Sequence, residues 1–253
     1  MKKFGFVFGL AVLLAVSGCV STQDVLSESD LTLTELEKKI NQATDSDGLF
    51  AASNSYIMRQ EVAEKHLLDD DEVQMVEVKF ERPDRFALTT YKDNQIATVF
   101  CTDGKSGWVA DYGSRKTLRL DENALRRMQM LASLGRPNSG GYSAIFKKVE
   151  VHRCSNQDGK FYRIDCYGLD QEHPVYFYVD AEKYLLRKVK MTVVVGGNSF
   201  DYENHILDYE RRNGVLIPMK TRIKQLGAIQ ESKVIHYQLN PVIPASDFQP
   251  PVF

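Results

Sequence analysis

Residues 73–112 read VQMVEVKFERPDRFALTTYKDNQIATVFCTDGKSGWVADY, and this stretch decides the fold class. It contains four segments rich in the strand-favouring residues Val, Phe, Tyr and Thr, at 73–81, 85–92, 95–102 and 107–112. Turn-forming residues separate the segments, as at Arg82-Pro83-Asp84 and Thr102-Asp103-Gly104-Lys105. Connections this short predict antiparallel hairpins, because parallel neighbours need a crossover of about a dozen residues or more.

The same pattern continues on both sides of this stretch. Further strands are predicted near 54–66, 145–154, 160–167, 174–180, 184–195, 199–211, 215–226 and 229–239. Asn213-Gly214 is the strongest turn signal, since a type I′ turn needs two residues that tolerate positive φ. A sheet of this size curls as its strands twist. We therefore predict a mainly antiparallel β protein, a half-open and strongly curved barrel of about 11–13 strands.

Two helices are predicted to accompany the sheet. Thr32-x-x-Glu35 has the pattern of a capping box, and apolar residues at helical spacing extend from it over 33–43. Asp121 can cap a second helix that ends at Gly135, with Pro137 just beyond. Each helix has an apolar face to bury, and the concave face of the sheet is the natural place for it. We expect the helices to close the half-barrel.

The amino terminus has the pattern of a bacterial secretion signal. Lys2 and Lys3 precede an apolar run over 4–16, which is too short for a permanent membrane span of about 20 residues. Val16-Ser17-Gly18-Cys19 resembles the lipobox of bacterial lipoproteins, which implies cleavage before Cys19 and diacylation of its thiol. An ordinary cleaved leader followed by an incidental cysteine is the alternative interpretation.

The leader implies a domain organisation and a location. We predict a cleaved signal peptide at 1–18, a lipidated flexible tether at 19–30 and one domain at 31–253. Two or three acyl chains on Cys19 would hold the protein on a membrane. Val20 is not the Asp that retains enteric lipoproteins on the inner membrane, so the outer membrane, facing the periplasm, is the expected site.

Composition and motifs argue against several function classes. The net charge is -2, from 32 Lys and Arg against 34 Asp and Glu, so there is no basic excess for nucleic acid. The five histidines are scattered and no GxSxG, HExxH or CxxC motif is present, so we predict neither an enzyme nor a metal site. No cofactor is expected apart from the covalent lipid on Cys19.

Three cysteines follow the lipobox, Cys101, Cys154 and Cys166, and their pairing is left open. An oxidising envelope would permit one disulfide with one thiol remaining. A two-residue turn at Asp158-Gly159 would place Arg163, and not Cys166, opposite Cys154.

Three motifs, in order along the chain, resemble a known family. Glu81-Arg82-Pro83-Asp84-Arg85-Phe86 resembles a "basic-Pro-x-x-Phe" hairpin, and residues 100–109, FCTDGKSGWV, resemble an "SDGKxxW" strand-turn-strand. Asp247-Phe248-Gln249-Pro250-Pro251 resembles a closing "F-x-P-P". These are features of the bacterial lipoprotein-sorting family of the carrier LolA and the receptor LolB. The resemblance implies a half-open antiparallel barrel, closed by helices over an apolar cavity that holds lipoprotein acyl chains.

The resemblance also suggests where a ligand would bind. Carriers of the family use a basic residue to close the cavity, and here Arg59 and Arg82 are alternatives between which the sequence does not choose. Candidate residues lining the cavity are Phe86, Leu88, Trp108, Met128, Leu131 and Leu134. Each of them could instead simply fill the core, and Trp108 could anchor its own hairpin.

The sequence thus predicts a membrane-anchored lipoprotein that binds a hydrophobic ligand. The ligand would be a lipoprotein acyl chain or a lipid, held for lipoprotein sorting or lipid transfer. The alternative is a protein-interaction or stress-sensing module of the envelope that uses the same fold.

Overall fold

The computed structural model describes residues 23–65, 72–122, 124–125, 141–168, 173–195, 198–225 and 228–253. Within these ranges the chain forms a single antiparallel sheet of 14 strands. The strands are β1 Val25–Glu28, β2 Ser55–Lys65, β3 Glu72–Glu81, β4 Arg85–Lys92, β5 Gln95–Thr102, β6 Gly107–Asp111, β7 Lys116–Arg119, β8 Lys148–Asn156, β9 Gly159–Tyr167, β10 Val175–Asp180, β11 Leu186–Val195, β12 Asn198–Arg212, β13 Val215–Gln225 and β14 Ala228–Leu239. The helices are α1 Leu33–Thr44 and α2 Leu49–Ala52, with 3₁₀ turns at Tyr142–Ala144 and Ala245–Phe248.

The sheet is open. Its spatial order is β1-β8-β9-β10-β11-β12-β13-β14-β2-β3-β4-β5-β6-β7, and in the part of the chain that the structure describes β1 and β7 do not pair with each other. Bulges interrupt the ladder between β10 and β11, between β12 and β13, and between β14 and β2, and bulges bend and twist the strands that carry them. The prediction of a half-open, curved antiparallel barrel is confirmed.

The strand count differs from the predicted 11–13 because the sequence pattern missed both edge strands. β1 and β7 have four residues each, and every one of their side chains is exposed. Without a buried face they show no apolar alternation, which is the signal used to find a strand.

Helix α1 begins as predicted. Thr32 Oγ1 accepts a hydrogen bond from the Glu35 N–H at 3.3 Å, and Glu35 Oε2 accepts one from the Thr32 N–H at 2.8 Å. The helix runs to Thr44, one residue beyond the predicted end, and buries Leu36 and Ile40. The second predicted helix is described only at its start, where Asp121 Oδ1 accepts a hydrogen bond from the Ala124 N–H at 2.7 Å.

The turn between β8 and β9 differs from the prediction. Its two central residues are Gln157-Asp158, and Asn156 pairs with Gly159, so Phe161 lies opposite Cys154 where Arg163 was expected. The Asn156 side chain accepts a hydrogen bond from the Asp158 N–H at 2.9 Å. This bond stabilises a turn centred on Gln157-Asp158, one residue earlier than the predicted turn at Asp158-Gly159.

The amino-terminal segment is docked on the sheet. The sequence predicts a flexible tether over 19–30, but within that range β1 pairs with β8 from Val25 opposite Ser155 to Glu28 opposite His152. Because polar residues surround Val25 and Leu26, the segment resembles a linker in sequence. The sheet therefore begins before residue 31.

Candidate ligand-binding site on the inner face

We call the face of the sheet that α1 and α2 cover the inner face, and the opposite side the outer face. Side chains alternate between the two along each strand. The inner face carries two apolar clusters. The first joins α2 to five strands of the sheet, and its buried members are Phe50, Tyr56, Val76, Val78, Phe80, Phe86, Val215, Ile217, Met219 and Val234. The second joins α1 to β9–β11, and its buried members are Leu36, Ile40, Phe146, Tyr162, Ile164, Cys166, Val175, Phe177, Val179 and Val189.

Two of the predicted cavity residues lie together in the first cluster. Phe86 is buried, opposite Phe80 in the β3–β4 ladder, and Leu88 is partly buried two residues further along. Both face inward because alternation places every second residue of β4 on the same side. Half-buried apolar neighbours such as Met58 and Val62 extend this surface.

Trp108 lies on the other side of the sheet. It is opposite Cys101 in the β5–β6 ladder and packs with Ala87, Ala110, Ile243 and Phe248 on the outer face. The alternative role considered for it, as an anchor of its own hairpin, fits this position. The carboxyl-terminal segment covers this outer cluster, so Trp108 does not contact the surface formed by Phe86 and Leu88.

The remaining predicted site residues, Cys19, Met128, Leu131 and Leu134, lie outside the described residues.

The inner face also contains buried polar atoms that were not predicted from the sequence. Asn41 Oδ1 on α1, Asn204 Oδ1 on β12 and Tyr237 OH on β14 are buried without a hydrogen-bond partner among the residues placed in the structure. Asn204 lies opposite Val189 and Tyr237 opposite Met58, both members or neighbours of the inner clusters. For Asn204 and Tyr237 the only sequence signal is strand alternation, which assigns a polar residue to a buried face.

Tyr237 is the donor of this group. Burial raises the pKa of its phenol above the usual value, so the OH stays protonated. Its ring stacks on Tyr56 with ring centroids 6.0 Å apart, which fixes its position in the first cluster. Leaving a buried hydroxyl unpaired costs roughly 1–3 kcal/mol, and a ligand that accepts its hydrogen bond would recover that energy.

Neither arginine considered for closing a cavity points freely into the inner face. Arg59 lies on the outer face, where its Nε is 2.5 Å from Glu77 Oε2. Arg82 donates to the backbone carbonyls of Ser53 at 2.6 Å and Phe50 at 3.2 Å, and so holds the end of α2. Both side chains therefore have structural partners.

Glu77 is the centre of an outer-face ion cluster. Its side chain is 3% exposed, and Lys79 Nζ lies 3.0 Å from Glu77 Oε1 and 2.9 Å from Asp247 Oδ2. Burial by itself would raise the pKa of Glu77, but the hydrogen bonds and charges of Arg59 and Lys79 lower it below its usual value. This cluster attaches the carboxyl-terminal segment to the sheet.

Among the residues that the structure describes, no group of three His, Cys, Asp or Glu side chains is placed to hold a metal ion. No helix among these residues has the length and apolar character needed to cross a bilayer.

Comparison with known proteins places the fold. No protein-family model matches the chain, and no curated protein matches its sequence. A solved LolA superfamily protein from Nitrosomonas europaea has a TM-score of 0.60 at 11% identity, over 87% of this chain and 98% of its own. A putative outer membrane lipoprotein-sorting protein domain from Vibrio parahaemolyticus has a TM-score of 0.56 at 10% identity, over 85% and 94%. A DUF1329 family protein from Desulfovibrio piger has a TM-score of 0.53 at 7% identity, over 86% and 97%.

These matches cover 85–87% of this chain and 94–98% of each solved structure, while sequence identity is low. What they share with this chain is therefore the path of the backbone. The open 14-stranded antiparallel sheet with its helices on one face has the LolA-like fold.

Proposed function

We propose that this chain is a membrane-anchored lipoprotein of the bacterial envelope that binds an acyl chain or lipid on the inner face of its open sheet. Acylated Cys19 is the anchor, and bound lipid is held for lipoprotein sorting or lipid transfer. The observation that carries the proposal is an inner face that is apolar on both halves of an open sheet and contains buried polar atoms without hydrogen-bond partners among the described residues.

The apolar surface accounts for affinity. Burying apolar area is favourable by about 25 cal/mol per Å², or about 0.8 kcal/mol for each methylene. A single acyl chain is long enough to gain several kcal/mol on such a surface, after the cost of immobilising it is subtracted. Phe86 and Leu88 lie in this surface, and the second half of the inner face is similarly apolar.

The unpaired polar atoms account for orientation. Tyr237 OH can donate to an ester carbonyl, whereas Asn41 Oδ1 and Asn204 Oδ1 can accept from a hydroxyl or amide N–H. Lipoprotein lipids and glycerolipids carry such groups where the acyl chains join the head. A pure hydrocarbon would leave all three atoms unsatisfied.

The anchor limits how the protein transfers its ligand. A carrier that shuttles between membranes must leave both of them, but two or more acyl chains hold a protein on one membrane. The protein would therefore receive, hold and release lipid at the membrane that contains its own lipid.

Native mass spectrometry of the full-length protein purified from membranes tests the proposal. We expect an extra mass that dissociates as a lipid or acylated peptide. In Leu88→Glu a charge on the inner face should remove it, whereas Thr117→Glu, at an exposed position on the outer face of β7, should retain it.

Circular dichroism of both variants distinguishes loss of ligand from loss of fold. A folded Leu88→Glu variant that keeps the ligand would overturn the inner-face site. A stoichiometric protein partner without lipid would instead support the interaction-module alternative.

A further inference from the structure

Asp24 holds the amino-terminal end of β1 on the outer face. Its Oδ2 accepts a hydrogen bond from Tyr178 OH at 2.6 Å and lies 3.2 Å from Arg163 Nη1, and its Oδ1 accepts one from Asn156 Nδ2 at 2.9 Å. Burial opposes the charge of this carboxylate, but the three partners together lower its pKa below the usual value. Asp24 is therefore ionised and bound at neutral pH.

Asp30 holds the other end of the strand. Asp30 Oδ1 lies 2.5 Å from Arg153 Nε, and Asp30 Oδ2 lies 2.8 Å from Arg153 Nη2, so the two side chains form a bidentate pair. Tyr162 OH also donates to Asp30, at 3.2 Å. Between these two aspartates β1 forms four residue pairs with β8. We call residues 24–30 with these contacts the clasp.

The clasp shortens the connection between the lipid and the domain. Asp24 is five positions after Cys19, and an extended chain spans at most about 3.6 Å per position, so the reach is about 18 Å. If residues 19–30 were free, Leu31, twelve positions after Cys19, could lie up to about 43 Å from it. The clasp thus removes more than half of the available reach.

The register identifies which end of the sheet this short link attaches to. Asp24 contacts Asn156, beside the β8–β9 turn, and the turns β10–β11 and β12–β13 lie at the same end because successive antiparallel strands reverse direction. The β4–β5 turn at Asp93-Asn94 lies at the opposite end. We call these the anchor end and the far end.

The protein surface next to the link has exposed apolar side chains that can contact a lipid bilayer. Val25 and Leu26 on β1 are 66% and 41% exposed, in a strand at the edge of the sheet. Exposed Lys160 and Lys183 lie at the anchor end, close to the acidic Asp158 and Glu182, so the charge there is mixed. Apolar side chains beside a lipid anchor can enter the headgroup region of a bilayer.

We infer that the clasp fixes the orientation of the domain on the membrane: the anchor end, with Val25 and Leu26, lies against the lipid surface, and the far end points away from it. This inference rests on the proposed acylation of Cys19. It means that the far end of the sheet is the part presented to partners in the periplasm.

Spin labels at the two ends test this orientation in the full-length lipidated protein. Labels are placed at Lys183→Cys, at the anchor end, and at Gln95→Cys, at the far end, in vesicles of phosphatidylethanolamine and phosphatidylglycerol with a nickel-chelating lipid. The three native cysteines of the domain are buried, which leaves the engineered thiol as the site of labelling. We expect nickel relaxation to be several-fold stronger at position 183.

Two changes should weaken that difference. Asp24→Ala combined with Asp30→Ala opens the clasp, while Asp201→Ala, an exposed carboxyl on β12 near the far end, serves as the matched control. A Gly/Ser insert of about ten residues between Val20 and Asp24 lengthens the link without touching any contact of the clasp, so it remains informative if the double variant fails to fold.

Equal relaxation at positions 183 and 95, or relaxation that neither the insert nor the double variant changes, would overturn the inference. Mass spectrometry of the same samples reports whether Cys19 is acylated. If it is not, a cyanobenzothiazole lipid provides the anchor, because it condenses with the amino-terminal Cys19 of the chain without its leader and leaves the engineered thiol free for the spin label. The orientation is thereby tested separately from natural lipidation and from ligand binding.

Discussion

At the scale of single residues, burial decides the chemistry of the thiols and phenols. Cys101, Cys154 and Cys166 are each at most 3% exposed and unpaired in the described structure. Cys154 and Cys166 share the β8–β9 hairpin but lie opposite Phe161 and Val149, on different faces. Burial raises the pKa of Cys101 and Cys154 to about 11 and that of Cys166 further, so these thiols pack as small apolar groups.

The native thiols should therefore resist alkylation. With iodoacetamide at mildly alkaline pH, we expect mass spectrometry to find Cys101, Cys154 and Cys166 unmodified in the folded protein and all three modified in urea. The urea sample is the control for reagent activity. Rapid modification of any one thiol under native conditions would contradict its buried position.

Two tyrosines should respond oppositely to loss of the hydroxyl. Tyr237→Phe removes a buried OH without a partner among the described residues, so the free energy of unfolding should stay level or rise by about 1 kcal/mol. Tyr178→Phe removes the donor to Asp24 and should lower it by about 1–2 kcal/mol. Urea unfolding measures both variants. A larger loss in Tyr237→Phe than in Tyr178→Phe would show that its OH has a partner.

At the scale of secondary-structure elements, the interior strands and α1 follow local pattern, whereas the edge strand β1 depends on a distant partner. The β3–β4 and β5–β6 hairpins have the predicted segments and turns. β1 instead depends on β8, more than a hundred residues later, and on the arginines and tyrosines that bind Asp24 and Asp30. No local pattern in residues 24–30 contains that information.

The clasp should weaken in acid. The hydrogen bonds from Arg153 lower the pKa of Asp30 to about 2, so its contribution is complete above the unfolded-state pKa of about 4 and is lost as the pH falls towards 2. We expect wild type to have a higher thermal midpoint than Asp30→Asn above about pH 4, and the difference to vanish by about pH 2. A difference that stays constant over this interval would contradict the ionised pair.

At the scale of the whole molecule, the two halves of the chain are joined by pairing between distant strands. β14, the last strand along the chain, pairs with β2 in the middle of the sheet, although more than 150 residues separate the two strands. The carboxyl-terminal segment then crosses the outer face, where Phe248 is fully buried and Asp247 pairs with Lys79. The predicted family motif containing Phe248 thus forms a structural contact.

Truncating Phe248 should destabilise the entire domain. Phe248→Ala leaves a cavity beneath the segment and should lower the free energy of unfolding by about 3–5 kcal/mol. Phe253→Ala is the matched control, because Phe253 is 49% exposed at the chain end, and a change below about 1 kcal/mol is expected. Urea unfolding measures both, and similar losses would contradict the role of Phe248.

The candidate site also could be predicted only in part from the sequence. Alternation along β4 correctly placed Phe86 and Leu88 on one face, but it could not show that Trp108 faces the other side, because that depends on how β5 and β6 pair and on Phe248 packing there. Asn41, Asn204 and Tyr237 escaped notice because nothing in their own neighbourhood distinguishes an unpaired buried polar atom from an exposed one.

The antiparallel hairpins, the start of α1 and the curvature expected of so many strands follow from the sequence alone, because turn residues, caps and apolar alternation act over a few neighbouring residues. Tertiary contacts are needed to establish which face the helices cover, that residues 24–30 form part of the sheet and which polar atoms have no partner among the described residues. Those outcomes depend on contacts between residues far apart in the chain, and a local pattern contains no record of them.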